Sequence, residues 1–200
     1  MKKVGIMGGT FNPIHIGHLI LGQTALEQFK LDKILFMPTK NPPHKKEAHI
    51  LEDAVRAEMV RIAIEDNTRF ELSTLELDRE GTTYTADTLL QLTKQHPDEE
   101  YYFIVGADSL FYIDRWKDPE TIFKLSKLVT GVRDNKSNEE MLQKIEMLNE
   151  TFHTSVELLN SPNIDISSSE IRERAQKGMD IRYYVTTKVA RYIQENNLYQ

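Results

Sequence analysis

Cysteine is absent from the 200-residue sequence. That excludes disulfide frameworks, zinc–thiolate sites and thiol nucleophiles together, and it is compatible with a reducing compartment. Long apolar runs are also missing: none approaches the roughly 18–20 residues needed to span a bilayer. Nor is there an excess of positive charge. Lys plus Arg number 25 against 31 Asp plus Glu, a formal charge of −6. This balance argues against a chain that coats nucleic acid, and it leaves room for a local basic patch that meets a phosphorylated small molecule. The start, Met1-Lys2-Lys3-Val4, superficially looks like a signal peptide. Thr10, Asn12, His15 and His18 interrupt what would be its apolar region, so the segment reads as a mature strand and loop.

What is present is ordinary for a globular protein: 40% hydrophobic and 28% charged residues. The length suits one domain, or one domain with a small appendage, and can bury a core without disulfides or a structural metal. No repeat, low-complexity tract or long linker divides it. Val4 to Met7 is a buried strand ended by Gly8-Gly9, followed by a loop and a helix over about 17–29. Lys33 to Met37 is a second strand closed by Pro38. The pattern continues with a helix over 53–66, an irregular strand over 70–77 and a helix over 86–95. Tyr101 to Val105 gives the strongest strand signal, a continuous apolar and aromatic run suited to a central strand. A helix over 120–125, a strand over 127–132, a polar turn over 133–138 and a helix over 139–149 follow. The chain ends with a short strand over 156–159 and helices over 170–176 and 186–195. Strands and helices alternate throughout. The expected fold is therefore α/β: a Rossmann-like doubly wound, mainly parallel sheet with helices on both faces. Residues 1–200 are expected to form a single domain with a helical C-terminal part from about 168. Ligands in such folds sit at the carboxyl ends of the strands, here after Met7, Met37, Val105 and Leu159.

The loop after the first strand reads Gly8-Gly9-Thr10-Phe11-Asn12-Pro13-Ile14-His15-Ile16-Gly17-His18. Paired glycines let backbone approach a ligand closely, and loop and helix N–H groups bind phosphate. His15 and His18 fit three readings: incidental residues beside a glycine turn, a His-x-x-His metal pair, or hydrogen-bond donors to phosphate. No nearby carboxylate or thiolate completes a metal site. The G-x-G-x-x-G and Walker A patterns are both missing, so nicotinamide-dehydrogenase and P-loop readings lose their main support. A second motif, Ile166-Ser167-Ser168-Ser169-Glu170-Ile171-Arg172, precedes an amphipathic helix. Its serines suit helix capping. The same hydroxyls, backbone N–H groups and Arg172 also suit a polyphosphate.

The first segment resembles the H-x-G-H signature of the nucleotidyltransferase superfamily, and the second resembles its I-S-S-T-x-I-R signature. Pro38 to Lys45, with Pro42-Pro43-His44-Lys45, is similar to the P-x-x-x-P-P-H-K stretch of bacterial nicotinate-mononucleotide adenylyltransferases. Tyr84-Thr85-Ala86-Asp87-Thr88 and Gly106-Ala107-Asp108-Ser109-Leu110, with Trp116 beyond, resemble further segments of that family. The resemblance runs from Lys2 to about Tyr199. Asn12 stands where Asp is common, Ile14 where Pro is common, and Ser169 where Thr is common.

The resemblance implies that ATP and nicotinate mononucleotide give nicotinate adenine dinucleotide and pyrophosphate by direct in-line transfer. A mononucleotide phosphate is already ionised, so no general base is needed, and catalysis is positioning plus charge stabilisation. It implies that His18 serves the α-phosphate and His15 the other ATP phosphates. Arg172 with Ser167, Ser168 and Ser169 would hold the departing pyrophosphate, and Lys45 would neutralise phosphate charge. Gly8, Gly9, Thr10, Phe11, Gly106, Asp108 and Ile166 complete the ATP side. Tyr84, Thr85 and Trp116 complete the mononucleotide side, Thr85 at a helix N-terminus suited to a carboxylate and Trp116 stacked on the pyridine ring. Mg²⁺ is expected with ATP, carried mainly by phosphates because no carboxylate cluster is evident. No nucleic-acid or membrane partner is expected, a homo-oligomer is left open, and the cytoplasm is the expected location. The alternatives are a sibling adenylyltransferase acting on nicotinamide mononucleotide or phosphopantetheine, and a non-catalytic nucleotide-binding protein.

Overall fold

The computed structural model describes residues 1–40, 50–131 and 138–200. β1 (Lys2–Gly9) leads through a loop into α1 (Ile16–Gln28), then β2 (Lys33–Pro38) and α2 (Asp53–Ile64). β3 (Phe70–Leu72), α3 (Thr85–Gln95) and β4 (Glu99–Val105) continue the alternation. The short helices α4 (Ala107–Leu110) and α5 (Pro119–Leu125) flank a 3-10 turn at Ile113–Arg115 and lead to β5 (Ser126–Gly131). Then come α6 (Asn138–Phe152), β6 (Glu157–Leu159), α7 (Ser168–Gln176) and α8 (Thr187–Glu195). The strands make a six-stranded sheet in the order β3-β2-β1-β4-β5-β6. Every pairing is parallel. The chain winds outward from β1 to β3, then crosses to β4 and winds the other way, so the topology switches between β1 and β4.

The period of two along the central strands explains why helices cover both faces. Val4 and Ile6, Leu35 and Met37, and Tyr101, Phe103 and Val105 point into one core with Leu89, Leu92, Ile122, Ile145 and Leu148 from the helices. Met7, Ile34 and Phe36, and Tyr102 and Ile104 point into the other, against Ala25, Leu26, Met59, Val60, Ile171, Val189 and Ile193. α7 and α8 therefore share a core with α1 and α2. Gly5 on β1 marks how tightly this layer closes: a methyl group there would lie 2.4 Å from Ile34 Cδ1.

The expected irregular strand over 70–77 is shorter than its composition suggests. Only Phe70–Leu72 pairs, alongside Ile34–Phe36 of β2. Beyond it the chain turns back, with Asp78 N–H donating to Thr74 O at 2.9 Å and the Thr74 hydroxyl to Asp78 Oδ2 at 2.8 Å. Tyr84 is the N-cap of α3 and Gly106 that of α4, which places Thr85 and Asp108 in the first turns of their helices. Residues 41–49 and 132–137 lie outside the described residues, and with them His44, Lys45 and most of the polar turn expected over 133–138.

One buried arginine ties the loops at the carboxyl edge of the sheet together. Arg56 on α2 is 1% exposed. Its Nε donates to Leu51 O at 3.0 Å, Nη1 to Thr10 O at 2.6 Å and Nη2 to Thr39 O at 2.9 Å. Asp53 pairs with the same guanidinium. The segments after β1 and β2 are so fastened to the start of α2. Arg56→Ala should leave three partly buried carbonyls without donors and Asp53 without its cation. A loss of about 3–5 kcal/mol in unfolding free energy is expected, read by urea denaturation; a loss under about 1 kcal/mol would contradict this assignment.

Candidate active site

The carboxyl ends of β1 and β4 open into two adjoining cavities. The first holds about 380 Å³ and the second about 580 Å³. Gly8, Gly9, Thr10, Gly106 and Ser109 line both, so the ends of the two central strands form their shared wall. Glycine suits that wall because it leaves the backbone open to whatever lies on either side.

The first cavity gathers most of the residues expected on the ATP side. Phe11, His15, His18, Asp108, Ser168 and Arg172 line it together with the shared wall. His15 caps α1, and its backbone N–H donates to His18 Nδ1 at 3.2 Å. A ring that accepts at Nδ1 carries its proton on Nε2 when neutral, so His18 is set as an Nε2–H donor. The two imidazoles lie 3.7 Å apart between centroids. Phe11 meets His18 edge to face at 5.0 Å and fixes the plane of that ring. The first turn of α1 carries no acidic residue, so its positive dipole end reaches the cavity uncancelled.

Arg172 comes from α7, at the far end of the chain. Its Nη1 donates to Asn12 O at 2.9 Å, and Ser168 Oγ donates to Pro13 O at 2.9 Å. The second motif is thus docked on the first by hydrogen bonds across 160 and 155 residues of sequence. Ser167 takes the capping role, accepting from Glu170 N–H at 3.2 Å, with its hydroxyl 3.1 Å from that of Ser169. Ile166 packs against the hydrophobic core. None of these three lines the first cavity.

The second cavity gathers Tyr84, Thr85 and Trp116. Trp116 is half-buried and packs edge to face on Phe103 at 6.2 Å, which leaves the ring bordering the cavity. Lys117 Nζ sits 4.3 Å above the Tyr84 ring and 4.0 Å from Asp87. With Arg115 it adds positive charge to the lining, suited to an anionic guest. Arg115 has no motif signal in the sequence. Ser161 and Pro162 in the first cavity were foreshadowed only by following β6.

Among the described residues no group of three or more His, Asp or Glu side chains is arranged to hold a metal ion. Among the described residues, Asp108 is the only carboxylate lining the first cavity. A divalent cation there would take most of its oxygen ligands from phosphate and water. No helix among the described residues is long and apolar enough to cross a membrane.

Glu76 is the unexpected member of the second cavity. It is buried and accepts from the Thr88 hydroxyl at 2.9 Å. Burial raises its carboxyl above the ordinary value of 4.5, opposed by hydrogen bonds from Thr88 and Thr83 and by the charge of Arg79. The folded chain therefore keeps this proton over a range in which the unfolded chain has released it. Glu76 costs nothing below 4.5 and costs stability increasingly as pH rises through its folded value. The stability of wild type relative to Glu76→Gln should fall as pH rises from about 5 to 7.5, measured by urea denaturation. A gap that stays constant across that range would contradict the assignment.

The cytidylyltransferase-like family model matches residues 6–174 of the chain. The probable nicotinate-nucleotide adenylyltransferase of Lachnoclostridium phytofermentans is 47% identical over 199 residues, covering all of both chains. That of Clostridium tetani is 40% identical over 200 residues, again covering all of both. Among solved structures, Plasmodium falciparum nicotinic acid mononucleotide adenylyltransferase complexed with NaAD superposes with a TM-score of 0.80 at 26% identity, covering 100% of this chain and 98% of that one. The same enzyme complexed with APC gives 0.79 at 25% identity, with the same coverage.

Proposed function

We propose, from the premise that the chain belongs to the cytidylyltransferase-like family, that it is a nicotinate-nucleotide adenylyltransferase. It joins ATP to nicotinate mononucleotide, releasing pyrophosphate and forming nicotinate adenine dinucleotide in NAD biosynthesis. Relatives at 40–47% identity carry that name over their full length. The observation that carries the reading is the pair of adjoining cavities with a shared wall at the topological switch. Two bound substrates there would meet across Gly8, Gly9 and Gly106.

ATP would occupy the first cavity and the mononucleotide the second. The mononucleotide phosphate oxygen attacks the α-phosphorus of ATP, and the bond from that phosphorus to the bridging oxygen of pyrophosphate breaks. The attacking phosphate is already ionised at neutral pH, so no protein group has to remove a proton. No covalent enzyme intermediate is needed. His18 donates from Nε2 to the α-phosphate, where charge shifts as the bonds exchange. His15 supports the remaining phosphates, and Arg172 with Ser168 receives the pyrophosphate. Ser167 and Ser169 contribute by shaping the turn that starts α7. Thr10, Phe11 and Asp108 line the nucleotide, while Ile166 acts through the packing beneath. Lys45 is assigned to phosphate charge on the sequence resemblance alone.

Thr85, in the first turn of α3, offers a hydroxyl and a helix N-terminus to the pyridine carboxylate. Tyr84 and Trp116 frame the ring. Mg²⁺ would accompany ATP and shield its charge when bound. The full 1–200 chain is read as one catalytic unit, with α7 supplying Arg172, and a cytoplasmic location goes with this metabolic role.

The direct test is pyrophosphate release from ATP and Mg²⁺ with nicotinate and nicotinamide mononucleotides as parallel acceptors. Strong release with the acid and little with the amide is expected. Release with the amide alone would overturn the acceptor. His18→Ala should lower kcat by about 10²–10³-fold with an unchanged far-UV circular dichroism spectrum. Near-normal turnover in that variant would overturn the role of His18.

A further inference from the structure

We infer that Tyr199 is a positioning residue for adenylyl transfer, acting through Asn12; the inference rests on the functional reading above. Tyr199 lies beyond α8, and its hydroxyl donates to Asn12 Oδ1 at 2.9 Å across 187 residues of sequence. Its ring packs against the same core that α1, α2 and α7 share. Burial pushes its hydroxyl well above the ordinary range for tyrosine, with Arg172 and Arg56 nearby as the opposing charges. The hydroxyl therefore stays protonated, and a donor, at any working pH.

Asn12 is where the lines of support for the site converge. It is 2% exposed, and it follows Phe11, which holds a left-handed φ of 48°. That conformation is costly for a side chain of this size and has to be imposed by the surroundings. The Asn12 carbonyl accepts from Arg172 Nη1 at 2.9 Å. Its side-chain oxygen accepts from Tyr199 and, more weakly, from Leu51 N–H at 3.4 Å. One residue thus joins the loop of the first motif, the pyrophosphate arginine and the segment beyond α8. Tyr199 itself lines neither cavity, while Asn12, which it holds, lines the first, so its effect passes through the placement of Asn12, Phe11 and Arg172.

That route predicts where the loss appears. Phe11 and Arg172 border the first cavity and not the second. The mononucleotide should still bind when the Tyr199 hydroxyl is gone, while the charge-stabilising groups lose alignment. Tyr199→Phe keeps the ring and removes the single hydrogen bond. The expected result is a fall in kcat of about 3- to 10-fold, the scale of one neutral hydrogen bond. KM for nicotinate mononucleotide should stay within about twofold.

The experiment measures kcat, both KM values and urea stability for wild type, Tyr199→Phe, Asn12→Ala and the double variant. In the Asn12→Ala background, Tyr199→Phe should lower kcat by less than about 1.5-fold further, because the shared interaction is already lost. Tyr183→Phe, at an 88% exposed tyrosine, is the control expected to match wild type. Multiplicative losses in the double variant would overturn the inference. An unchanged kcat in Tyr199→Phe beside an active wild type would overturn it as well, while leaving the functional reading standing. If Asn12→Ala does not fold, that single comparison decides the matter. Failure of wild type to turn over any mononucleotide would overturn the functional reading, and this inference with it.

Discussion

A guanidinium buried at the carboxyl edge of the sheet is the constraint on which the site depends. Arg56 binds the carbonyls of Thr10, Thr39 and Leu51, three segments that leave the sheet or enter α2. Loops cannot bury their own carbonyls cheaply, and a planar cation with five donors answers several at once. With Thr10 held from below, the glycine wall ahead of it keeps its place between the two cavities. The Thr39 N–H, which donates to Gly9 O at 2.9 Å, adds a second tie from β2 to the same wall. The parallel sheet sets the direction of the loops, and Arg56 sets their spacing.

Above this floor, segments from the two ends of the chain close the site from opposite directions. The loop after β1 supplies the imidazoles, and α7 supplies Arg172. Ser168 and Arg172 both donate to backbone of that loop, so neither motif is in place without the other. Under the proposed function the nucleophile is already ionised and needs no dedicated base. It needs two anions held together while charge moves toward the leaving pyrophosphate, and His15, His18 and Arg172 line the cavity proposed for ATP.

Much of this was legible in the sequence, for identifiable reasons. The apolar run at Tyr101–Val105 is covered on both faces, and such strands read as continuous hydrophobic segments; it proved central. The segment from Gly8 to His18 and the one from Ile166 to Arg172 stood out because glycines, histidines and serines cluster at strand and helix ends. Arg56 gave no such sign. It occupies an ordinary place in an amphipathic helix, and its role arises from contacts to backbone far away in sequence. Glu76 was equally hidden, since the strand read over 70–77 ends at Leu72 and the turn that follows swings the carboxylate inward. Tyr199 and Asn12 meet only in three dimensions. Residues whose partners are main-chain atoms or distant side chains leave little trace in local pattern, whereas strand period and helix caps are local by nature.

The central claim is a single direct displacement at the α-phosphorus, with the protein supplying position and charge but no covalent relay. The stereochemical course tests it most directly. ATP made chiral at the α-phosphorus by sulfur substitution would be turned over with nicotinate mononucleotide, and the configuration of the dinucleotide product determined. One in-line displacement inverts the centre, and inversion is the predicted result. Retention would require an adenylylated protein intermediate and would contradict the account.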